Sequence, residues 1–238
     1  MRPVWLTFTC LVVVCGAGQC SDAAETPPSD IATLSQRARS GDAQAQLMLG
    51  FAYDMGRGAR HSRKEAERWY RLSAESGNAE AQNAVGSVLQ EKRKYADALT
   101  WYEKSAAAGF PRGINNAGYL YDLGLGVPQD RSKARDYYLR AANFGWAESM
   151  WNLANIYYLG QVGPPDKGLA CVWTFRAGKY AKANEEVLRQ RVQAGEKQLS
   201  STLALADLES CKSEAANWQP DAAQGEPSNN ALEPTRGH

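Results

Sequence analysis

Between Gly41 and Ala181 the apolar and small residues follow a helical period nested inside a longer one. In GDAQAQLMLGFAYDMG, 41–56, Leu49, Gly50 and Tyr53 fall on one face of a 3.6-residue helix. In SKARDYYLRAANFG, 132–145, Ala134, Tyr137, Tyr138, Ala141 and Ala142 do the same. Asp130 stands where a helix start needs a side-chain acceptor, and Gly145 where a helix ends in a left-handed residue. A polar, glycine-containing loop separates the two kinds of segment. The pattern predicts antiparallel helical pairs.

The pairs recur. Gly41, Gly77, Gly109 and Gly145 open successive units, 36, 32 and 36 residues apart. Nine residues beyond each stands Gly50, Gly86, Gly118 or Ala154, and twelve beyond stands Tyr53, Leu89, Tyr121 or Tyr157. Gly56, Gly124 and Gly160 begin the loop in three units, and the shorter second unit lacks that glycine. The second segments share Ala66, Ala98, Ala134 and Ala170, with Trp69, Trp101, Tyr137 and Trp173 three residues on. Glycine inside a helix costs about 1 kcal/mol against alanine, so its return at one column predicts that something packs on the bare backbone. One pair cannot bury its apolar face alone, whereas stacked pairs share a continuous core. The predicted fold is all-α, a right-handed α-α superhelix of four helical hairpins at 41–76, 77–108, 109–144 and 145–181. SDIATLSQRARSG predicts an N-terminal capping helix at 29–40, after a linker at 21–28, and residues 182–218 predict C-terminal capping helices.

The run A-x-x-x-L-G-x-x-Y-x-x-G-x-G, followed by A-x-x-W-Y-x-x-A-A-x-x-G, resembles the SEL-one-like repeat, a relative of the tetratricopeptide repeat. Units one and three carry it well. Unit four has Thr174 in place of the tyrosine and Gly178 in place of the second alanine, and unit two lacks the Gly-x-Gly loop. The resemblance covers roughly Asp30 to Trp218. It implies a helical solenoid that works by protein–protein interaction, with envelope-located relatives serving in assembly, signalling or host contact. It also raises an alternative, because cysteine-rich relatives are linked to penicillin binding and β-lactam hydrolysis. Serine enzymes of that type place a base beside the nucleophile in Ser-x-x-Lys. No lysine here has serine three residues before it, and the regularly paired cysteines of those relatives are missing.

Composition narrows the partner. The 238 residues carry 27 basic and 26 acidic side chains, a net charge of +1, which is not the basic excess of a nucleic-acid binder. MRPVWLTFTCLVVVCGAGQC, 1–20, has one arginine, a short apolar run and then small residues, the pattern of a removable signal peptide. Export to a bacterial periplasm or the exterior is therefore expected. Cys20 would be the attachment point of a lipid anchor, although Gln19 stands where lipoprotein signals carry a small residue. In an oxidising compartment Cys171 and Cys211 form either a disulfide clamping the terminal cap or two buried free thiols. The segment 219–238, rich in Pro, Gly and polar residues, is expected to be a disordered tail.

Little catalytic chemistry is legible. His61 lies in a loop and His238 ends the chain, and there is no HExxH, CxxC or phosphate-binding glycine loop. No cofactor or metal is expected, and the chain reads as a non-enzyme. Surface is what remains. First helices line the concave side of such arrays, where partners bind. With columns 5, 8, 9 and 12 after each opening glycine in the core, columns 3, 6, 7, 10, 13 and 14 form the opposite face. That face includes Leu47, Met48, Phe51, Asp54 and Met55 in unit one, and Arg112, Asn115, Asn116, Tyr119, Asp122 and Leu123 in unit three. Unit four adds Glu148, Trp151, Asn152, Asn155, Tyr158 and Leu159. Aromatics supply contact area at low entropic cost, and asparagine offers both donor and acceptor. Phe51, Asn116, Tyr119, Trp151, Asn152, Asn155 and Tyr158 are therefore the expected groove for a peptide or protein, unless curvature or the terminal helices cover them.

Overall fold

A computed structural model describes residues 31–221; the expected signal peptide, the linker and nearly all of the expected tail lie outside the described residues. Among the described residues there are eleven helices and no strands. The lone helix α1 (Ile31–Arg39) precedes four pairs. These are α2 (Ala43–Met55) with α3 (Arg63–Glu75), α4 (Ala79–Glu91) with α5 (Tyr95–Ala107), α6 (Pro111–Leu123) with α7 (Arg131–Asn143), and α8 (Ala147–Leu159) with α9 (Lys167–Tyr180). Helices α10 (Glu186–Thr202) and α11 (Leu205–Asn217) close the array. Each helix packs on its neighbours in chain order, and α9 holds both closing helices. No helix of the described residues is long and apolar enough to cross a membrane.

Local chemistry sets the boundaries. Asp42, Ser62, Asn78, Asp130 and Asp166 cap their helices, each accepting a hydrogen bond from the backbone N–H three residues on. Gly56, Gly124 and Gly160 end α2, α6 and α8 in the left-handed region, with φ of 66°, 67° and 64°. Unit two has no glycine there. Its turn passes through Arg93 at φ 58°, the only non-glycine residue with positive φ among the described residues.

The glycine column has a specific occupant. A Cβ at Gly50 would lie 2.5 Å from the Tyr70 ring, and one at Gly86 would lie 2.5 Å from the Tyr102 ring. At Gly118 the nearest Tyr138 carbon would be 3.1 Å away. In each case the second helix of the unit brings a tyrosine ring onto the bare backbone of the first. Unit four changes both partners together, with Ala154 for the glycine and Thr174 for the tyrosine. The smaller threonine leaves room that α10 uses: Gly195 fits against Trp151, and its added Cβ would also reach Thr174 at 3.5 Å.

Cys171 on α9 and Cys211 on α11 are buried side by side, Cα atoms 6.0 Å apart, within bridging range. Trp218 closes the same end against Trp173 and Tyr180. The Arg176 guanidinium sits 4.6 Å from the Trp173 ring centre and 4.9 Å from that of Trp218, and it pairs with Glu214 at 3.2 Å. Order continues briefly into the expected tail, where Gln219 meets the Tyr180 hydroxyl and Pro220 approaches Gly145.

Candidate partner-binding face

The first helices α2, α4, α6 and α8 present an open stripe at columns 3, 7, 10 and 14, the i, i+4, i+7, i+11 row of a helix. No residue of this stripe is fully buried in any unit. Column 10 carries Phe51, Ser87, Tyr119 and Asn155, and column 7 carries Met48, Ala84, Asn116 and Asn152. Tyr119 is 40% exposed, and Met55, Leu123 and Leu159 at column 14 are exposed by 58%, 48% and 59%. These four make up most of the large exposed apolar side chains of the described residues.

Columns 6 and 13, grouped with that face from the sequence, turn elsewhere. Column 6 points to the next unit along the array. Leu47, Asn83 and Asn115 are buried there, and Trp151 is half-buried under α10. The polar members are joined across the units. Asn116 Nδ2 donates to Asn83 Oδ1 at 2.9 Å, and Asn115 Oδ1 accepts from Ser149 Oγ at 2.8 Å and from Asn152 Nδ2 at 3.3 Å. Asn116 and Asn152 thus spend one donor each on holding adjacent units in register. Asn155 Nδ2 donates to the Trp151 carbonyl at 3.0 Å.

Column 13 lies over the tyrosine hydroxyl that passes beneath the glycine. Tyr70 donates to Asp54 at 3.4 Å, and Tyr102 donates to Gln90 at 2.9 Å. The Tyr138 hydroxyl is buried without a protein partner, and burial, then the Asp122 charge, pushes its pKa up. Asp122 is itself raised by burial, against the opposing pull of Arg131 at 3.6 Å. In unit four column 13 is Tyr158, whose hydroxyl accepts from Gln198 Nε2 of α10 at 2.7 Å.

Of the seven sequence-predicted residues, Phe51, Asn116, Tyr119, Asn152 and Asn155 share the open stripe, and Trp151 and Tyr158 face α10. Phe51 packs edge-on to Tyr70, ring centres 5.4 Å apart. Both line a hollow of about 180 Å³ shared by α2, α3, α4 and α6, together with Asp54, Arg63, Asn83, Ser87 and Arg112. Asn83 and Ser87 were absent from the sequence-predicted set; the same column count applied to unit two would have found them. Among the described residues no three or more His, Cys, Asp or Glu side chains come together as metal ligands would.

Stacked helical hairpins whose glycines accept tyrosine rings define an all-helical repeat solenoid. The Sel1 repeat model matches residues 43–78, 79–110, 111–143 and 147–179, more than half of the chain, so the chain belongs to the Sel1 repeat family. It is 32% identical over 108 residues to a putative sel1-like repeat-containing protein, L21, of Acanthamoeba polyphaga mimivirus, covering 45% of this chain and 20% of that protein. It is 30% identical over 123 residues to chitin synthase regulatory factor 3 of Schizosaccharomyces pombe, 49% and 13% of the two chains. A component of an ERAD-associated E3 ubiquitin-protein ligase, HRD3 of Candida glabrata, is 30% identical over 70 residues, 29% of this chain and 8% of that one. The chain spans a fifth or less of the length of these relatives.

Among solved structures, c5321, a protective antigen of uropathogenic Escherichia coli with an SLR fold, superposes with a TM-score of 0.70. That match has 24% identity and covers 86% of this chain and 44% of the other. A Sel1 repeat protein from Oxalobacter formigenes gives 0.62 at 28% identity, covering 81% and 71%.

Proposed function

We propose that the protein is a non-catalytic adaptor or scaffold, exported to the cell envelope, that holds a protein or peptide partner across the open stripe of its first helices. The observation that carries this reading is the gathering of Met55, Tyr119, Leu123 and Leu159 on one face, beside half-buried Phe51, Asn116, Asn152 and Asn155. Single exposed apolar side chains are ordinary on a protein surface, whereas several gathered on one face mark an interaction site. Two relatives are named as a regulatory factor and as a ligase component, which supports an accessory role. Trp151 and Tyr158 join the partner face only where α10 is displaced. The signal-like residues 1–20 support export, and the cysteine pair supports an oxidising compartment.

The test is site-specific photocrosslinking in intact cells, with the crosslinker at position 119 or 155 and, as control, at exposed Arg68 on the second-helix side. Mass spectrometry then identifies the product. A defined partner captured from 119 and 155, and lost in Tyr119→Ala/Leu123→Ala with helicity kept, is the expected result. Equal yields from position 68 would remove the face from consideration. The alternative, a β-lactam hydrolase, predicts turnover of a chromogenic cephalosporin by the purified chain, and we expect none.

A further inference from the structure

Helix α10 is held differently from the helices around it. It buries three of its 17 residues, Leu188, Val192 and Leu199, whereas α8 buries six of 13 and α9 seven of 14. Like α8 and α11 it starts without a side-chain cap, but it alone of the three carries a glycine, Gly195, in its middle. Its polar tie to α8 is the Gln198 hydrogen bond to the Tyr158 hydroxyl. Helix α11 also buries only three residues, but it is bolted to α9 by other means. Cys211 lies against Cys171, Glu214 pairs with Arg176, and Lys179 Nζ donates to the Ala216 and Trp218 carbonyls at 2.8 and 3.0 Å. The two closing helices lie against each other only slightly, and the buried side chain that α10 adds to the α9–α11 cluster of Cys171, Val172, Leu208, Cys211 and Ala215 is Leu199. The chain therefore leaves α9, forms a weakly held helix, and returns to a firmly held one.

Weakly held elements between fixed anchors open as units below the global stability. We propose that α10 is a displaceable lid. It leaves the α8–α9 surface while α11 stays docked, and it thereby uncovers Trp151 and Tyr158. Beneath it lie the Trp151 ring against Gly195, the Tyr158 hydroxyl and Thr174, a ready-made aromatic surface at the end of the open stripe. The use of that surface, extending the partner face by one unit, rests on the function proposed above; the opening itself does not.

The experiment is amide hydrogen exchange read by mass spectrometry on the full chain, with Val192→Ala as the probe. Residues 186–202 should exchange at least about tenfold faster than 167–180 and 205–217. Val192→Ala should accelerate 186–202 by about a further tenfold while leaving the other two segments unchanged. Hydroxyl-radical footprinting should rise at Trp151 and Tyr158 in the same variant. A single exchange rate across α9, α10 and α11, or an equal acceleration of all three by Val192→Ala, would overturn the lid. Neither readout involves a partner, so a fixed α10 with a working partner face and a mobile α10 without one give different results.

Discussion

Replacing Gly86 by alanine sets two physical effects against each other. Helix propensity favours alanine by about 1 kcal/mol in a helix interior. Packing opposes it, because the new methyl would lie 2.5 Å from Cε1 and 2.6 Å from Cδ1 of Tyr102. That ring cannot swing away. It is 1% exposed, and its hydroxyl is anchored to Gln90 at 2.9 Å and to Ser87 at 3.3 Å. Overpacking a tight core costs about 1–3 kcal/mol, and a rigid ring at this distance belongs at the upper end. Gly86→Ala should therefore destabilise by about 1–2 kcal/mol net, a fall in Tm of roughly 2–8 °C for an array of this size. Gly118→Ala is the internal comparison: its nearest ring contact would be 3.1 Å, so the loss should be smaller. The double variant Gly86→Ala/Tyr102→Thr copies the pair that unit four already carries. It should cost less than the two single changes added together, a favourable coupling that a double-mutant cycle measures. Urea titrations followed by far-UV circular dichroism provide all four stabilities. If Gly86→Ala raises the midpoint, propensity governs this column and the ring-on-backbone account is wrong.

Other perturbations test separate parts of the fold. Arg93→Gly should stabilise by about 0.5–1 kcal/mol, since an L-residue in the left-handed region is strained and glycine is not, less the added freedom of the unfolded chain; an unchanged or lower Tm would mean that the turn is held by Arg93 itself. Burial, aided by the Glu103 charge, raises Tyr137 to about 12, and burial raises Tyr70, Tyr102 and Tyr138 as well. Their contribution is whole below pH 10 and is lost as the pH climbs through the folded-state values, because the unfolded phenols ionise first. Arg176, lowered to about 10 by burial, acts in the opposite direction above that pH, but it is one group against five, since burial raises Tyr157 too. The share of the phenolate absorbance at 295 nm that belongs to these buried rings should thus rise together with unfolding, from about pH 10 to 12; ionisation of all the tyrosines before helicity is lost would contradict the burial argument. Peptide mapping without reductant should recover Cys171 and Cys211 in one linked product, and Cys211→Ala should lower stability by up to about 4 kcal/mol for a 40-residue loop. Recovery of two unlinked peptides from freshly isolated protein would make them free thiols.

The sequence alone determined the helical hairpins, their number and their order. Period 3.6 identifies a helix, glycine and capping residues such as Asp130 and Gly145 end it, and a 36-residue recurrence means stacked units sharing one core. These signals are local or strictly periodic, so no neighbour in space is needed to read them. The open face was only partly legible. A helical wheel separates the side facing the partner helix of the same hairpin from the side opposite it, and Tyr119, Asn155 and Phe51 were found that way. It does not reveal the direction in which the next unit stacks. The stacking of adjacent first helices decided that Leu47 and Asn115 are buried between units and that Asn116 and Asn152 lock neighbouring units together, and the docking of α10 decided what Trp151 meets. The tertiary structure also decided what lies against each bare glycine, because the choice of a tyrosine ring depends on how closely two backbones approach, a distance that is fixed only when the whole stack closes.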